Sequence, residues 1–265
     1  MYVVALASVA GSQETAAQPI AELVGRTAYE VRMWLKQVLP RVVLQTTEPD
    51  EAQALAAALR EADHRVVVLD TERVVPLAQM VRVKRIVFDS RALQANSGTD
   101  EALAYDAIET ILHVASRVDL TRTRTEKVGN PTLHPRTPTM KVVSTTTQET
   151  IQQDALFLFR RESERPWIVE EHAAQYLGLG PHMRPTRREN FLTTLSLLRE
   201  RAWRAKFDDR FATHPITARN LIEVQGSGDP ATKGTEAGVV LLANLLALSL
   251  TGAATGPYRQ RSEDL

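Results

Sequence analysis

The stretch VVLQTTEPDEAQALAAALREADHRVVVL, residues 42–69, decides the fold of the first part of the chain. Residues 42–45 read as a strand, and Thr47-Glu48-Pro49-Asp50 as a helix start. It offers a capping residue, a proline in the first turn, and acids near the positive end of the helix dipole. Ala52, Leu55, Ala56, Leu59 and Ala62 then recur at helical spacing and make one apolar face. Asp63-His64 turns the chain into another strand over 66–69.

Upstream, residues 3–7 predict a first strand and not a signal peptide, because no positive segment precedes a short apolar run. Residues 16–24 follow with a helical pattern carrying Ile20, Leu23 and Val24, and Gly25 breaks it. Thr27 and Glu30 stand at capping-box spacing. The helix they start carries Val31, Trp34, Leu35 and Val38 and stops before Pro40. The predicted order is β-α-α-β-α-β over residues 1–73. With Gly25-Arg26-Thr27-Ala28-Tyr29-Glu30-Val31-Arg32, Leu39-Pro40 and the helix from Asp50 to Ala62, this order resembles the C-terminal domain of the bacterial ribosomal stalk protein, a fold shared with the Clp protease adaptor. The resemblance covers about the first quarter of the chain. It implies a docking role, since the stalk family meets translation factors through basic residues on its second helix. Arg32 takes the matching basic position, Tyr29 stands where the family usually has lysine, and Arg26 and Lys36 complete a candidate basic face.

Downstream, residues 74–82 read as a connector interrupted by Pro76, and from residue 83 the pattern turns to β. Residues 85–89 and 104–114 predict strands around a turn at Asn96-Ser97-Gly98. Ile86-Val87-Phe88-Asp89, Leu93 and Tyr105-Asp106-Ala107-Ile108 are similar in pattern to the opening of bacterial pleckstrin-homology or GRAM-like domains. Residues 118–150, rich in Thr, Ser, Arg and Pro, predict a long hairpin with its tip near Gly129-Asn130-Pro131 and residues 135–138. Residues 155–159 form a continuous apolar strand covered on both faces. Residues 167–177 predict a strand end and a short helix, stopped by Gly178 and Gly180. Thr186 and Glu189 box the start of an amphipathic helix with Phe191, Leu195, Leu198 and Ala202 inward. The fold class is therefore α+β: the small domain over 1–73, a β-rich pleckstrin-homology-like domain with a closing amphipathic helix over 83–224, a Gly/Pro-containing linker over 225–234, and an apolar C-terminal helix over 235–256.

That last helix has two readings. No charged residue stands between Ala237 and Tyr258, and residues 239–250 are almost continuously apolar, with Asn244 in their middle. A span needs roughly 20 apolar residues, so the segment reads as a buried terminal helix, with membrane anchoring as the alternative.

Lysine plus arginine and aspartate plus glutamate both number 32 in 265 residues, so no overall field draws the chain to nucleic acid, and any basic surface is local. With no cysteine, disulfides, thiolate nucleophiles and cysteine-type zinc sites are excluded, which fits the cytoplasm. His64, His113, His134, His172, His182 and His214 lack zinc-protease spacing. His113 lies in a strand pattern, the place of a packed ring with a hydrogen-bond partner, and the others read as surface or loop. The adjacent acids Glu170-Glu171 and Asp208-Asp209 share no helix face and read as solvated surface. Neither a Walker-type loop nor a nucleophile elbow occurs around Gly226-Ser227-Gly228. Trp34, Trp167 and Trp203 read as core residues.

Two basic clusters remain. Arg122, Arg124 and Lys127 belong to the long hairpin, where alternation with Thr121, Thr123 and Thr125 sets both arginines on one face. Arg184, Arg187 and Arg188 crowd a helix start, where free N–H groups and guanidinium forks can hold an anion. Their readings are an anionic ligand, an acidic protein partner or a lipid headgroup, against a charged surface that is simply solvated. The sequence thus predicts a non-enzymatic interaction or scaffold protein without cofactor, metal or catalytic residues. A membrane-tethered protein and an enzyme whose pocket joins His113 or His172 to a carboxylate are the alternatives. The C-terminal helix is the candidate surface for self-association.

Overall fold

The computed structural model describes residues 1–96, 100–129, 140–160, 165–214 and 233–252; at 96, 100–101, 117–129, 140–151 and 233–235 only the backbone is described. The chain is mixed α and β with three sheets. Strand β1 (Tyr2–Ser8) runs through the middle of the first, between β2 (Arg41–Thr46) and β3 (Arg65–Asp70), antiparallel to both. Helices α1 (Gln13–Val24), α2 (Ala28–Leu35) and α3 (Pro49–Glu61) cover one face of it. The core there consists of Val4, Leu6, Ile20, Val31, Leu35, Leu59 and their neighbours. On α1 the buried stripe is Ala16, Ala17, Ile20 and Ala21, so Leu23, expected inward, lies off it at 40% exposure. The cap of α3 is Glu48, one residue later than Thr47, with Pro49 in the first turn.

Residues 74–82 are more than a connector. Val74, Val75, Leu77 and Met80 enter the core under the second sheet, and β4 (Val81–Arg82) pairs with β10 (Trp167–Glu170). That five-stranded sheet has the order β12-β8-β9-β10-β4, built on β8 (Ile108–Gly129) and β9 (Met140–Arg160), with β12 (Lys206–Asp208) at the far edge. A four-stranded sheet, β11-β5-β6-β7, comprises β5 (Arg85–Phe88), β6 (Ala92–Asn96), β7 (Asp100–Ala104) and β11 (Gln175–Gly178). Residues 171–178 hold a turn and a strand in place of the expected short helix, since Tyr176 is buried against β5 and its neighbours alternate outward. Helix α4 (Arg187–Arg201) closes the space between the two β-sheets with Phe191, Leu195 and Leu198, as its spacing predicts. Alternation along β9 divides the expected two-sided strand between cores: Leu156 and Leu158 face the α4 side, Phe157 and Phe159 the other.

The other side of that sheet meets α6 (Lys233–Thr251), which follows the short α5 (Arg210–Thr213). Val240, Ala243, Leu246 and Ala247 pack on the five-stranded sheet with Phe157, Phe159 and Phe211. Leu241, Leu245 and Leu248 pack on the bare face of the three-stranded sheet, against Val3, Ala5 and Val67. Every apolar side chain from Val239 to Leu250 belongs to one of these two cores. A helix apolar all round is one buried all round, and here two sheets supply the cover. The expected buried helix is what the chain forms. Its apolar surface from Val239 to Leu250 is engaged internally. Among the described residues no helix is long and apolar enough to cross a membrane. Asn244 sits fully buried in α6, its amide donating to the Val240 carbonyl at 2.8 Å.

The helix has no basic residue in its last turn. Its terminal carbonyls are met from outside instead. Arg65 on β3 donates to Ser249 O at 2.6 Å, and Lys206 on β12 donates to Leu250 O at 2.5 Å. One cation comes from each flanking sheet, and both suit the negative end of the dipole.

Candidate docking surfaces and the buried polar network

Helix α2 is fixed by its ends and its inner face. Thr27 Oγ1 accepts the Glu30 N–H at 3.2 Å, and the Glu30 carboxylate accepts the Thr27 N–H at 2.9 Å, closing the predicted capping box. Hydrogen bonds from the Thr27 backbone and hydroxyl, with Arg26 nearby, hold the Glu30 carboxyl below the usual range. Val31 and Leu35 are buried, and Trp34 packs partly inward beneath Arg41. Tyr29, Arg32 and Met33 lie on the side of α2 away from Val31 and Leu35, with Arg26 just before the cap and Lys36 at the C-cap. All five are exposed, Tyr29 at 68% and Met33 at 43%. Arg26 lies 3.9 Å from the Glu30 carboxylate, and Arg32 Nε donates to Ala28 O at 3.4 Å. The structure thus brings the three predicted cations together and inserts two large apolar side chains among them. The signal for Tyr29 and Met33 was present in their spacing from Arg32 and Lys36.

The cluster at the start of α4 is organised differently. The Arg184 N–H donates to Asn190 Oδ1 at 2.7 Å, and the Asn190 amide donates back to the Arg184 and Thr186 carbonyls. Thr186 caps the Glu189 N–H. Arg187 donates to His172 O at 2.8 Å. Arg188 reaches inward, 2.8 Å from both Asp154 and Glu171. The cap takes the Glu189 N–H, Asn190 takes the Arg184 N–H, and Arg188 Nη1 is engaged by carboxylates of its own chain.

Those carboxylates are part of a buried network. Asp154 on β9 is 2% exposed, and its Oδ1 lies 2.7 Å from His113 Nε2 on β8. Gln152 donates to Oδ2 at 3.0 Å. Burial raises the Asp154 carboxyl, but hydrogen bonds from His113, Gln152 and Arg188 outweigh it and hold the group ionised below its ordinary range. An ionised carboxylate only accepts, so Nε2 of His113 carries the hydrogen. The His113 ring also packs 5.4 Å from Phe191. His113 is therefore the packed, hydrogen-bonded residue its strand pattern predicts, and the network fastens the base of the hairpin to α4. A cavity of about 270 Å³ lies nearby, walled by Asp154, Glu170, His172, Phe157 and Val240. Its apolar walls belong to the α6 side of the sheet, whereas His113 and the Asp154 carboxylate face α4.

Several surface readings are corrected. His64 is 6% exposed, its Nδ1 accepting the Ala10 N–H at 3.1 Å. Asp208 is buried and accepts from Arg210 at 3.0 Å, while Glu171 accepts from Arg188 and Glu170 lies 3.8 Å from Arg82. Trp203 is 72% exposed because α4 ends at Arg201, before the helical period reaches it; it stacks with Arg204. Trp167 is fully buried as expected.

The hairpin is a single continuous ribbon, paired from Arg117↔Gln152 to Gly129↔Met140. Arg122 stands opposite Thr147 and Arg124 opposite Thr145, with Lys127 opposite Val142. The expected tip at 130–139 and the linker at 225–232 lie outside the described residues. Among the described residues no cluster of metal-binding side chains occurs. No family model, curated protein or solved structure matches the chain.

Proposed function

We propose that this chain is a non-enzymatic docking protein whose α2 face receives an acidic protein surface. The carrying observation is the exposure of Tyr29 and Met33 within the cationic frame of Arg26, Arg32 and Lys36. Apolar and aromatic anchors ringed by polar groups are the anatomy of a protein-binding patch, and the cations would steer an acidic partner. The small domain's resemblance to the stalk protein supports the same reading. The ribbon, carrying Arg122, Arg124 and Lys127, is a second arm able to extend the contact. The cysteine-free sequence supports a reducing compartment such as the cytoplasm.

The test is retention of partners from native lysate, identified by mass spectrometry. The intact chain is compared with Arg26→Glu/Arg32→Glu/Lys36→Glu and with Arg122→Glu/Arg124→Glu. A partner lost with the first set supports the α2 face, and one lost only with the second assigns docking to the ribbon. Partners retained by both would contradict the proposal.

A further inference from the structure

Beyond the positions where β12 and β10 flank them, β8 and β9 continue as two strands alone. From Arg117↔Gln152 to Gly129↔Met140, at about 3.3 Å per residue, the ribbon reaches roughly 40 Å. No other described strand pairs with this part. Two strands alone are marginal in water, and their outer N–H and C=O groups are a template for further pairing.

The two outer edges differ in sequence. Along β8, Asp119, Arg122, Arg124, Glu126 and Lys127 distribute charge over the edge, a common way of blunting it. Along β9, residues 142–148 read Val-Val-Ser-Thr-Thr-Thr-Gln with no charge, bounded by Lys141 and Glu149. These two stand at equal distance on either side of Thr145. An antiparallel pairing of this edge with itself, centred on Thr145, sets Lys141 opposite Glu149 of the second copy, and repeats the pair at the other end. Val143 then stands opposite Thr147 and Ser144 opposite Thr146. No like charges meet, and β-branched residues fill much of the seam.

We infer that β9 is a self-association edge: two copies of this chain join antiparallel through residues 141–149 about a two-fold axis at Thr145, making one four-stranded sheet from two ribbons. A two-fold contact requires a self-complementary surface, and the Lys141/Glu149 arrangement supplies it. This is independent of the α2 reading.

The chain has no cysteine, so one introduced thiol reports one position. Residues facing each other across an antiparallel pair lie about 4.5–5.5 Å apart at Cα, within reach of a disulfide. Under mild oxidation, full-length Thr145→Cys is expected to form a covalent dimer, while Thr123→Cys on β8 stays largely monomeric. By sedimentation, Lys141→Glu weakens the dimer of the intact chain several-fold, and Lys141→Glu/Glu149→Lys restores it. A chain that sediments as a monomer overturns the inference. So does cross-linking at position 123 as efficient as at 145, or a double reversal no tighter than the single.

Discussion

At Gly178 a single hydrogen atom decides whether a strand fits. A Cβ built there would come 2.0 Å from the Ile86 carbonyl oxygen, because β11 runs parallel to β5 with Gly178 opposite Val87. Gly178→Ala is therefore expected to displace the edge strand and lower stability by about 1–3 kcal/mol, read as a fall in the urea midpoint. The sequence marks Gly178 as a stop; the close approach that requires it appears only when β5 lies alongside. Two buried groups contribute to the acid response. Burial lowers the His64 pKa, with Asp63 opposing. As pH falls below about 6.5 the unfolded chain takes up that proton first, so stability from neutral His64 is present above this pH and lost on acidification. The depressed Asp154 carboxyl contributes stability present above about pH 4, lost as pH falls through its folded pKa. Urea titrations across these windows should show two steps of loss, with His64→Gln removing the upper one and Asp154→Asn shrinking the lower, to which the Glu30 carboxyl also contributes. Neither group was identifiable from sequence as a buried titrating site, because His64 looks like a turn residue and Asp154 meets Arg188 only through the fold.

Among elements, α6 shows why local sequence left a choice. Residues 239–250 carry no charge and offer no charged face from which their surroundings can be inferred, so only the length of the apolar run favours burial over a membrane anchor. What decides is the bare face of the three-stranded sheet and the Phe157/Phe159 face of the five-stranded one, both of which require cover. Leu245→Ala and Leu246→Ala remove side chains from the two different cores, and each is expected to cost about 2–5 kcal/mol. Thermal unfolding should record a loss for both; if only one core responds, α6 does not serve both sheets. By contrast the starts and inner faces of α2, α3 and α4 were legible, since capping boxes, a first-turn proline and apolar stripes are local signals; their ends were less so, as α2 stops at Leu35 before Val38 and α4 at Arg201 before Trp203. The segment 171–178 was not, because its alternation is short and its strand identity comes from pairing with β5.

For the whole molecule, α6 layers two sheet systems into one body, with α1–α3 on one outside and α4 beneath the four-stranded sheet on the other. Arg210 adds a tie across them by donating to the Leu39 carbonyl at 3.0 Å. Self-association through β9 would present two α2 faces at once, raising apparent affinity for a multivalent partner. Docking through α2 is the central proposal for this molecule. A photo-crosslinking amino acid at position 29 of the intact chain, illuminated in native lysate, tests it most directly. A discrete adduct with an acidic protein is expected, and it should disappear when Arg26, Arg32 and Lys36 of the same chain are changed to glutamate. Absence of any adduct, or one indifferent to those charges, would contradict it.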